Sequence, residues 1–184
     1  QRRMPEEIAE LVNKQIYRNI LITKEKPPDK DKEEKRVIIS EPFPKQKIIL
    51  CDTSEFNPWC TRSPVRRSPF NVYSALLSVY LAEQALSDGV DDIAILTPYR
   101  AQNSLIHKLV ADKVSVDRNF ERITPASVHR FQGRESDLVI LDLVEGPVRE
   151  IKWLGGGFNS EAMRLVNVAV TRARAKIAFV ANLK

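Results

Sequence analysis

Short apolar runs alternate along this chain with longer segments in which apolar residues recur every three or four positions. The short runs lie at 47–53, 92–97, 123–128, 138–143 and 176–181. Runs of this length, bounded by polar residues, are typical of strands that are buried on both faces. The helical segments begin after Pro5, at 71–86, at 101–110 and after Ser160, which is the predicted cap of the last one. The alternation predicts an α/β fold with a parallel sheet and helices on both of its faces.

The composition predicts one globular domain that spans residues 1–184. Hydrophobic residues make up 43% of the chain and charged residues 29%, a balance that provides a core. No stretch approaches the ~18 consecutive apolar residues of a membrane helix, so no membrane partner is expected. The N-terminus lacks both a start Met and a secretory signal, and we expect a piece of a longer protein. Two cysteines, Cys51 and Cys60, favour a reducing intracellular compartment, cytoplasm or nucleus, and ordinary thiols over zinc ligands.

The distribution of charge hints at a polyanionic partner. The net charge is +5 and the isoelectric point is about 9.3. Residues 24–36 carry six basic and five acidic side chains, which predicts a solvated charged loop and not a binding tail. Positive charge is in excess between 164 and 184, where five basic residues occur without an acid, and in an acid-free loop that contains Arg62, Arg66 and Arg67. Phosphate-binding residues are therefore expected first in the C-terminal segment.

Several signatures of a self-sufficient enzyme are missing from the sequence. A phosphate loop of the form G-x-x-x-x-G-K-[ST] needs a glycine before a lysine, and none of the six glycines precedes one. The dinucleotide pattern G-x-G-x-x-G fails because Ser160 stands in place of its third glycine, so residues 155–157 are predicted to be a flexible loop. There is no Ser-centred nucleophile elbow and no carboxylate cluster with metal-ligand spacing. We expect the chain to act together with another domain.

Four segments, in this order, resemble signature segments of superfamily 1 helicases of the RNA-surveillance and Senataxin-like type. Residues 1–8 (QRRMPEEI) resemble Q-Y-R-M-x-P-x-I, and residues 96–102 (LTPYRAQ) resemble T-P-Y-x-x-Q. Residues 127–137 (SVHRFQGRESD) are similar to motif V, T-V-D-S-F-Q-G-R-E-x-D, and residues 164–174 (RLVNVAVTRAR) to motif VI, R-L-N-V-A-L-T-R-A-R. The resemblance spans nearly the whole chain. It implies the second RecA-like motor domain of such a helicase, with a P-loop NTPase type of fold that lacks its own phosphate loop.

The resemblance also implies a nucleotide site shared between two domains. ATP would lie between this domain and an N-terminal RecA-like domain that holds most of the Mg²⁺ coordination. The resemblance assigns Arg3 and Arg172 to the γ-phosphate, a role that suits arginine because its guanidinium is always charged and is bidentate toward phosphate. It assigns Glu135 to the ribose and to coupling with the nucleic-acid strand.

Three more residues are candidates for nucleotide binding. Gly133 lets a backbone approach a ligand closely, although a glycine here can also simply form the turn after the strand. Gln132 carries an amide that suits a hydrogen-bond network in the cleft, and an ordinary surface glutamine is the alternative. Arg2 stands where the family usually has an aromatic that stacks on the base. Its guanidinium can stack on a purine in the same way, or it is a solvated charge.

A second set of residues is assigned by the resemblance to single-stranded RNA or DNA. These residues, which would contact phosphates and sugars without reading the sequence, are Thr97, Tyr99, Arg100 and Ser127. Tyr99 can instead be an aromatic that caps a helix and packs on the sheet edge, and Arg100 can face water. His129 and Arg130 replace the usual Asp-Ser of motif V, which adds positive charge near the expected strand path.

The leading functional interpretation is the C-terminal motor half of an ATP-dependent helicase or translocase. On that interpretation the isolated domain is inactive, because it lacks a phosphate loop. A second hypothesis is a non-hydrolysing nucleic-acid-binding or interaction module that kept the helicase fold, and a third is a helicase fused to a nuclease or zinc-finger region. For the basic loop near Trp59, contact with nucleic acid and contact with the missing domain are both hypotheses.

The two arginines at the end of motif VI are expected to have different roles. Arg172 and Arg174, if both lie on one helix, are ~200° apart around its axis and cannot enter one phosphate pocket. The alignment with motif VI assigns Arg172 to the γ-phosphate. Arg174 is therefore expected to pack against the domain, to lie at the rim of the cleft or to pair with an acidic residue.

Overall fold

The computed structural model describes residues 4–22, 30–56, 59–65, 67–146 and 160–183. Its strands are β1 (Ile48–Asp52), β2 (Cys60–Arg62), β3 (Pro69–Asn71), β4 (Ile93–Thr97), β5 (Ile123–Ser127), β6 (Ser136–Asp142) and β7 (Ala173–Ala181). Five of them form one sheet in the order β1-β7-β6-β4-β5, and every pair in it is parallel. The predicted parallel sheet is confirmed.

Helices pack on both faces of this sheet. They are α1 (Glu6–Gln15), α2 (Lys30–Ile39), α3 (Val72–Ser87), α4 (Arg100–Val114) and α5 (Glu161–Val170). Strand side chains alternate between faces, so Ile95 joins the core cluster beneath α3 and α4, whereas Leu96 joins the cluster beneath α1 and α5. The result is the α/β fold expected of a RecA-like domain. Among the described residues, no helix has the length and apolar character to cross a membrane.

The segment predicted to be a charged loop, 24–36, is a helix in its second half. Helix α2 begins at Lys30, and residues 23–29 lie outside the described residues. The prediction relied on charge density and left out helix propensity. Glu, Lys and Arg are good helix formers, so this segment can form a helix. Val37 is only 2% exposed and packs into the core, and the Arg36 guanidinium donates to the Gly89 carbonyl, so tertiary contacts hold the helix in place.

The end of motif VI also differs from the prediction, because Arg172 and Arg174 do not share a helix. Helix α5 ends at Val170, and β7 starts at Ala173, three residues earlier than the sequence predicts. The last turn of α5 is closed by Thr171, whose hydroxyl donates to the Val168 carbonyl at 2.8 Å. The Arg172 carbonyl then accepts from the Ser136 amide at 3.0 Å and thus begins the ladder to β6. The helical angle between the two arginines therefore does not apply.

The predicted loop at 59–70 contains regular structure. Strands β2 and β3 form an antiparallel pair in which Cys60 stands opposite Asn71. Between them, the Ser63 amide donates to the Ser68 carbonyl at 2.9 Å and closes the connection. Arg66 and the triple glycine at 155–157 lie outside the described residues. The predicted helix cap is confirmed, since the Ser160 hydroxyl accepts the Met163 amide at 3.2 Å.

Candidate functional site

The predicted site residues separate into two groups at opposite ends of the strands. Thr97 and Ser127 are the last residues of β4 and β5 and stand side by side in the register. Arg172 directly precedes β7, and Glu135 directly precedes β6. Because β6 has seven residues at ~3.3 Å each, the two ends of the sheet are about 20 Å apart. We call them the carboxyl edge and the amino edge. The structure thus forms two candidate sites and not one.

At the amino edge, Arg172 is held by neutral oxygens. Its Nε donates to the Val168 carbonyl at 3.1 Å, its Nη2 to the Thr171 hydroxyl at 3.0 Å, and its Nη1 approaches the Arg134 carbonyl at 3.5 Å. No carboxylate among the described residues forms an ion pair with it. The guanidinium is therefore oriented by its own helix end while its charge stays uncompensated, which is what a phosphate-binding arginine requires.

Arg174, in contrast, is neutralised. Its Nη2 contacts Asp92 at 2.6 Å and Asp137 at 3.0 Å, which bridges the residues before β4 and at the start of β6. Burial raises the pKa of Asp137, and the charge of Arg174 opposes that shift. Of the roles expected for Arg174, the acidic partner is confirmed, although strand geometry and not the helical angle produces it.

The other amino-edge candidates lie in the connection between β5 and β6. Gly133 has φ of +83°, a left-handed conformation that favours glycine, and an added Cβ would meet no atom within 4 Å. The turn explains this glycine, and the space in front of it is open. Gln132 is exposed, and Glu135 is half-buried. Arg2 and Arg3 lie outside the described residues.

The polar groups at the amino edge are suited to an anionic ligand. An oriented guanidinium that forms no ion pair with a described carboxylate, next to an open turn, is suited to phosphate oxygens. Within the described part of the chain, no group of three His, Cys, Asp or Glu side chains is placed to hold a metal ion.

The carboxyl edge contains a cavity of about 460 Å³. It is lined by Pro98, Arg100, Asn103, Ser104, Ser127, His129 and Arg130. Two of the residues assigned to nucleic acid, Arg100 and Ser127, are among them, and so is the His-Arg pair that departs from motif V. None of the described lining residues is acidic, so the cavity is suited to phosphodiesters.

The other two residues assigned to nucleic acid hold this edge in shape. Thr97 has no exposed surface, and its hydroxyl accepts the Tyr99 amide at 3.4 Å, so in this conformation its side chain supports the turn after β4. Tyr99 occupies the N-cap of α4, and its hydroxyl donates to Glu145 at 2.9 Å. Burial, and next the Glu145 carboxylate, raise the pKa of Tyr99, which therefore stays neutral. Tyr99 is thus placed as the alternative interpretation expected, as an aromatic residue at a helix cap.

Sequence reasoning missed a buried polar cluster behind the carboxyl edge. Asp142, at the end of β6, is fully buried and accepts from Gln102 Nε2 at 2.6 Å, from the Ser74 hydroxyl at 3.2 Å and from the Val144 amide at 3.0 Å. Gln102 also accepts the Asn71 amide at 2.8 Å. Burial raises the pKa of Asp142 to about 6, although these hydrogen bonds favour the charged form. One signal was available, since Gln102 falls on the inward face of α4 with Ile106.

Sheet topology and the two polar edges define the class of protein, an α/β domain of the RecA-like type. A family of sequences described as the AAA domain matches residues 1–184. The chain therefore belongs to this AAA domain family, and its relatives support a C-terminal helicase domain of the RNA-surveillance and Senataxin-like type.

Three relatives illustrate the similarity. A probable helicase of Dictyostelium discoideum is 31% identical over 132 residues, 68% of this chain and 13% of that protein. Regulator of nonsense transcripts 1 of the same organism is 29% identical over 188 residues, 100% of this chain and 13% of that protein. DNA polymerase alpha-associated DNA helicase A of Saccharomyces cerevisiae is 32% identical over 141 residues, 74% of this chain and 19% of that protein. The chain thus spans less than a fifth of each of these three relatives.

Proposed function

We propose that this chain is the C-terminal motor half of an ATP-dependent helicase or translocase that acts on single-stranded RNA or DNA. ATP would be bound at the interface with an N-terminal motor domain, and its hydrolysis to ADP and phosphate would supply the free energy for movement along the strand. Arg172 and Arg3 would serve as arginine fingers, and Arg2, Gln132, Gly133 and Glu135 would bind other parts of the nucleotide.

The observation that carries this proposal is the difference between the contacts of Arg172 and those of Arg174. Neutral oxygens orient its guanidinium, and no carboxylate of the described residues neutralises it. Its neighbour in sequence, Arg174, is paired with two carboxylates. A charged group that is fixed in advance, as Arg172 is, can stabilise charge that develops on a phosphoryl group without the cost of reorganisation. Arg174 can offer no such charge.

The connection between β5 and β6 provides a physical link between the two edges. It begins after Ser127, in the wall of the carboxyl-edge cavity, and ends at Glu135 on the amino edge. Phe131 in the middle of it is 2% exposed and belongs to the core cluster beneath α1 and α5. A nucleic-acid strand bound in this cavity would thereby contact His129 and Arg130, which belong to the same segment as Gln132, Gly133 and Glu135.

The test is a comparison of arginine variants in the full-length protein. We expect Arg172→Ala to lower ATP turnover by ~10³-fold, the scale of an arginine finger, while strand binding without nucleotide stays near that of the parent, since the lost charge lies at the other edge. Arg174→Ala should lower turnover much less. Arg118→Ala, which removes an exposed charge in the turn before β5, is the matched control and should leave both measurements unchanged.

Two outcomes would contradict the proposal. One is parental ATP turnover in Arg172→Ala together with an inactive Arg174→Ala. The other is turnover by the isolated 184-residue chain that survives removal of contaminating ATPases, because this sequence contains no phosphate loop to hold the β- and γ-phosphates.

A further inference from the structure

A second cavity lies directly beside the carboxyl-edge cavity. It has a volume of about 400 Å³ and is lined by Ser63, Phe70, Ala101, Ser104, Leu105 and Lys108. Ser104 lines both cavities, so the two adjoin at this residue. We call the joined surface the α4 groove, because residues of α4 line both of its parts.

One face of α4 follows this groove for two turns. Arg100, Ala101, Ser104, Leu105 and Lys108 are spaced so that they share one side of the helix, and from first to last they span ~12 Å. The basic groups Arg100 and Lys108 stand at the two ends of this face, and Arg130 lines the same cavity as Arg100. No acidic residue is among the described lining residues. The groove therefore offers positive charge along its length and not at a single point.

The far wall of the groove is fixed in place before any ligand binds. Ser68, in the connection between β2 and β3, accepts the Ala101 amide at 3.1 Å, and the Asn71 amide at the end of β3 donates to the buried Gln102 at 2.8 Å. Pro69 and Asn71 are buried while Phe70 between them is half-exposed, so the alternation of β3 turns the Phe70 ring toward the cavity. A held aromatic beside basic groups is the composition of a single-strand binding surface.

We infer that the α4 groove is a strand-binding site that continues past the residues assigned by sequence, with Lys108 on a phosphate and Phe70 against a base or sugar. The ligand class is single-stranded nucleic acid, recognised by its phosphodiesters, which RNA and DNA share. This inference rests on the proposed function and adds to it a second point of contact on the β2–β3 side of the domain.

The experiment measures binding of fluorescein-labelled oligo(U) and oligo(dT) to the full-length protein by fluorescence anisotropy over a series of salt concentrations. Lys108→Ala should raise Kd about threefold to tenfold for both strands and lower the slope of log Kd against log salt by about 1, the signature of one lost phosphate contact. Phe70→Ala should raise Kd about tenfold, with less change in the slope.

Lys14→Ala is the matched control, because Lys14 is an exposed lysine on α1, which packs on the opposite face of the sheet. It should leave Kd and slope unchanged. Lys108 is exposed, so its variant tests the inference even if Phe70→Ala unfolds in a thermal melt. Parental affinity and slope in Lys108→Ala, with weaker binding in Arg100→Ala, would overturn the groove and leave the proposed function standing. A parent protein that binds neither strand would overturn both.

Discussion

The amino and carboxyl edges are two ends of the same five strands, yet polar groups stabilise them in different ways. At the amino edge, Arg174 pairs with Asp92 and Asp137, and Asp91 pairs with both Arg36 and Arg122, all on partly exposed side chains. At the carboxyl edge, one fully buried carboxylate is surrounded by neutral donors. Exposed ion pairs are weak and screened by salt, whereas buried hydrogen-bonded groups are costly to disturb. The ion pairs at the amino edge are thus expected to respond to salt, whereas the buried cluster keeps the carboxyl edge rigid.

The largest effect expected from this contrast is on Gln102. Gln102→Leu keeps nearly the same volume but leaves the Asp142 carboxylate and the Asn71 amide without their buried partner. We expect a loss of ~3 kcal/mol in the free energy of unfolding, measured by urea denaturation of the full chain. Gln132→Leu, at an exposed position, is the control and should change stability by less than ~0.5 kcal/mol. Equal losses in the two variants would refute the contrast.

The pH dependence of stability tests whether the buried carboxylate at the carboxyl edge, Asp142, contributes to folding. The folded pKa of Asp142 is about 6, above its ordinary value of 3.8, so the folded state holds this proton more tightly than the unfolded state does. Its contribution to stability is fully present below pH ~4 and is lost as the pH rises through about 6, by at most ~3 kcal/mol. The measurement is the free energy of unfolding across this range in the parent and in Asp142→Asn. If both show the same slope, Asp142 is not the group that titrates.

The smallest of these effects is expected at the amino edge. Arg174→Ala removes contacts with two carboxylates, but Arg174 and Asp92 side chains are each 41% exposed. After allowance for solvent screening we expect a loss of ~1 kcal/mol, and less in high salt. Arg164→Ala on α5 serves as the control at low and high salt. A loss as large as that of Gln102→Leu would show that this ion pair is as important to the fold as the buried cluster.

Much of the fold was predictable, because a strand buried on both faces leaves a short apolar run and a covering helix leaves a periodic one. The run at 138–143 became β6 at Ser136–Asp142, and Ser160 caps α5 as its residue type favours. The exceptions were segments where a local signal was outweighed. Charge density suggested a loop at 24–36, but a single buried side chain, Val37, helps to anchor a helix over its second half.

For the candidate site, the sequence indicated a set of residues but not how the fold arranges them. Motif order along the chain cannot reveal that Ser127 and Glu135, eight positions apart, end on opposite edges, since that depends on the connection crossing the sheet. Burial is equally hidden from a motif. Thr97 and Tyr99 both match the pattern T-P-Y-x-x-Q, yet one is fully buried and the other donates to Glu145.

The basic C-terminal segment shows what the sequence determines by itself and what only the tertiary structure determines. By itself, the sequence determined that positive charge is concentrated after residue 164 and that motif VI lies within it. Only the tertiary structure decided which charges are available. Lys176 is fully buried, with Nζ donating to the carbonyls of Ser40 and Pro42, and Arg174 is paired with Asp92, just before β4, and with Asp137 in β6. Arg172 forms no ion pair with a described carboxylate, and its hydrogen-bond partners are neutral oxygens. The physical reason is that a charge is set by residue type, whereas its neutralisation depends on groups that are distant in the chain and meet only in the folded state.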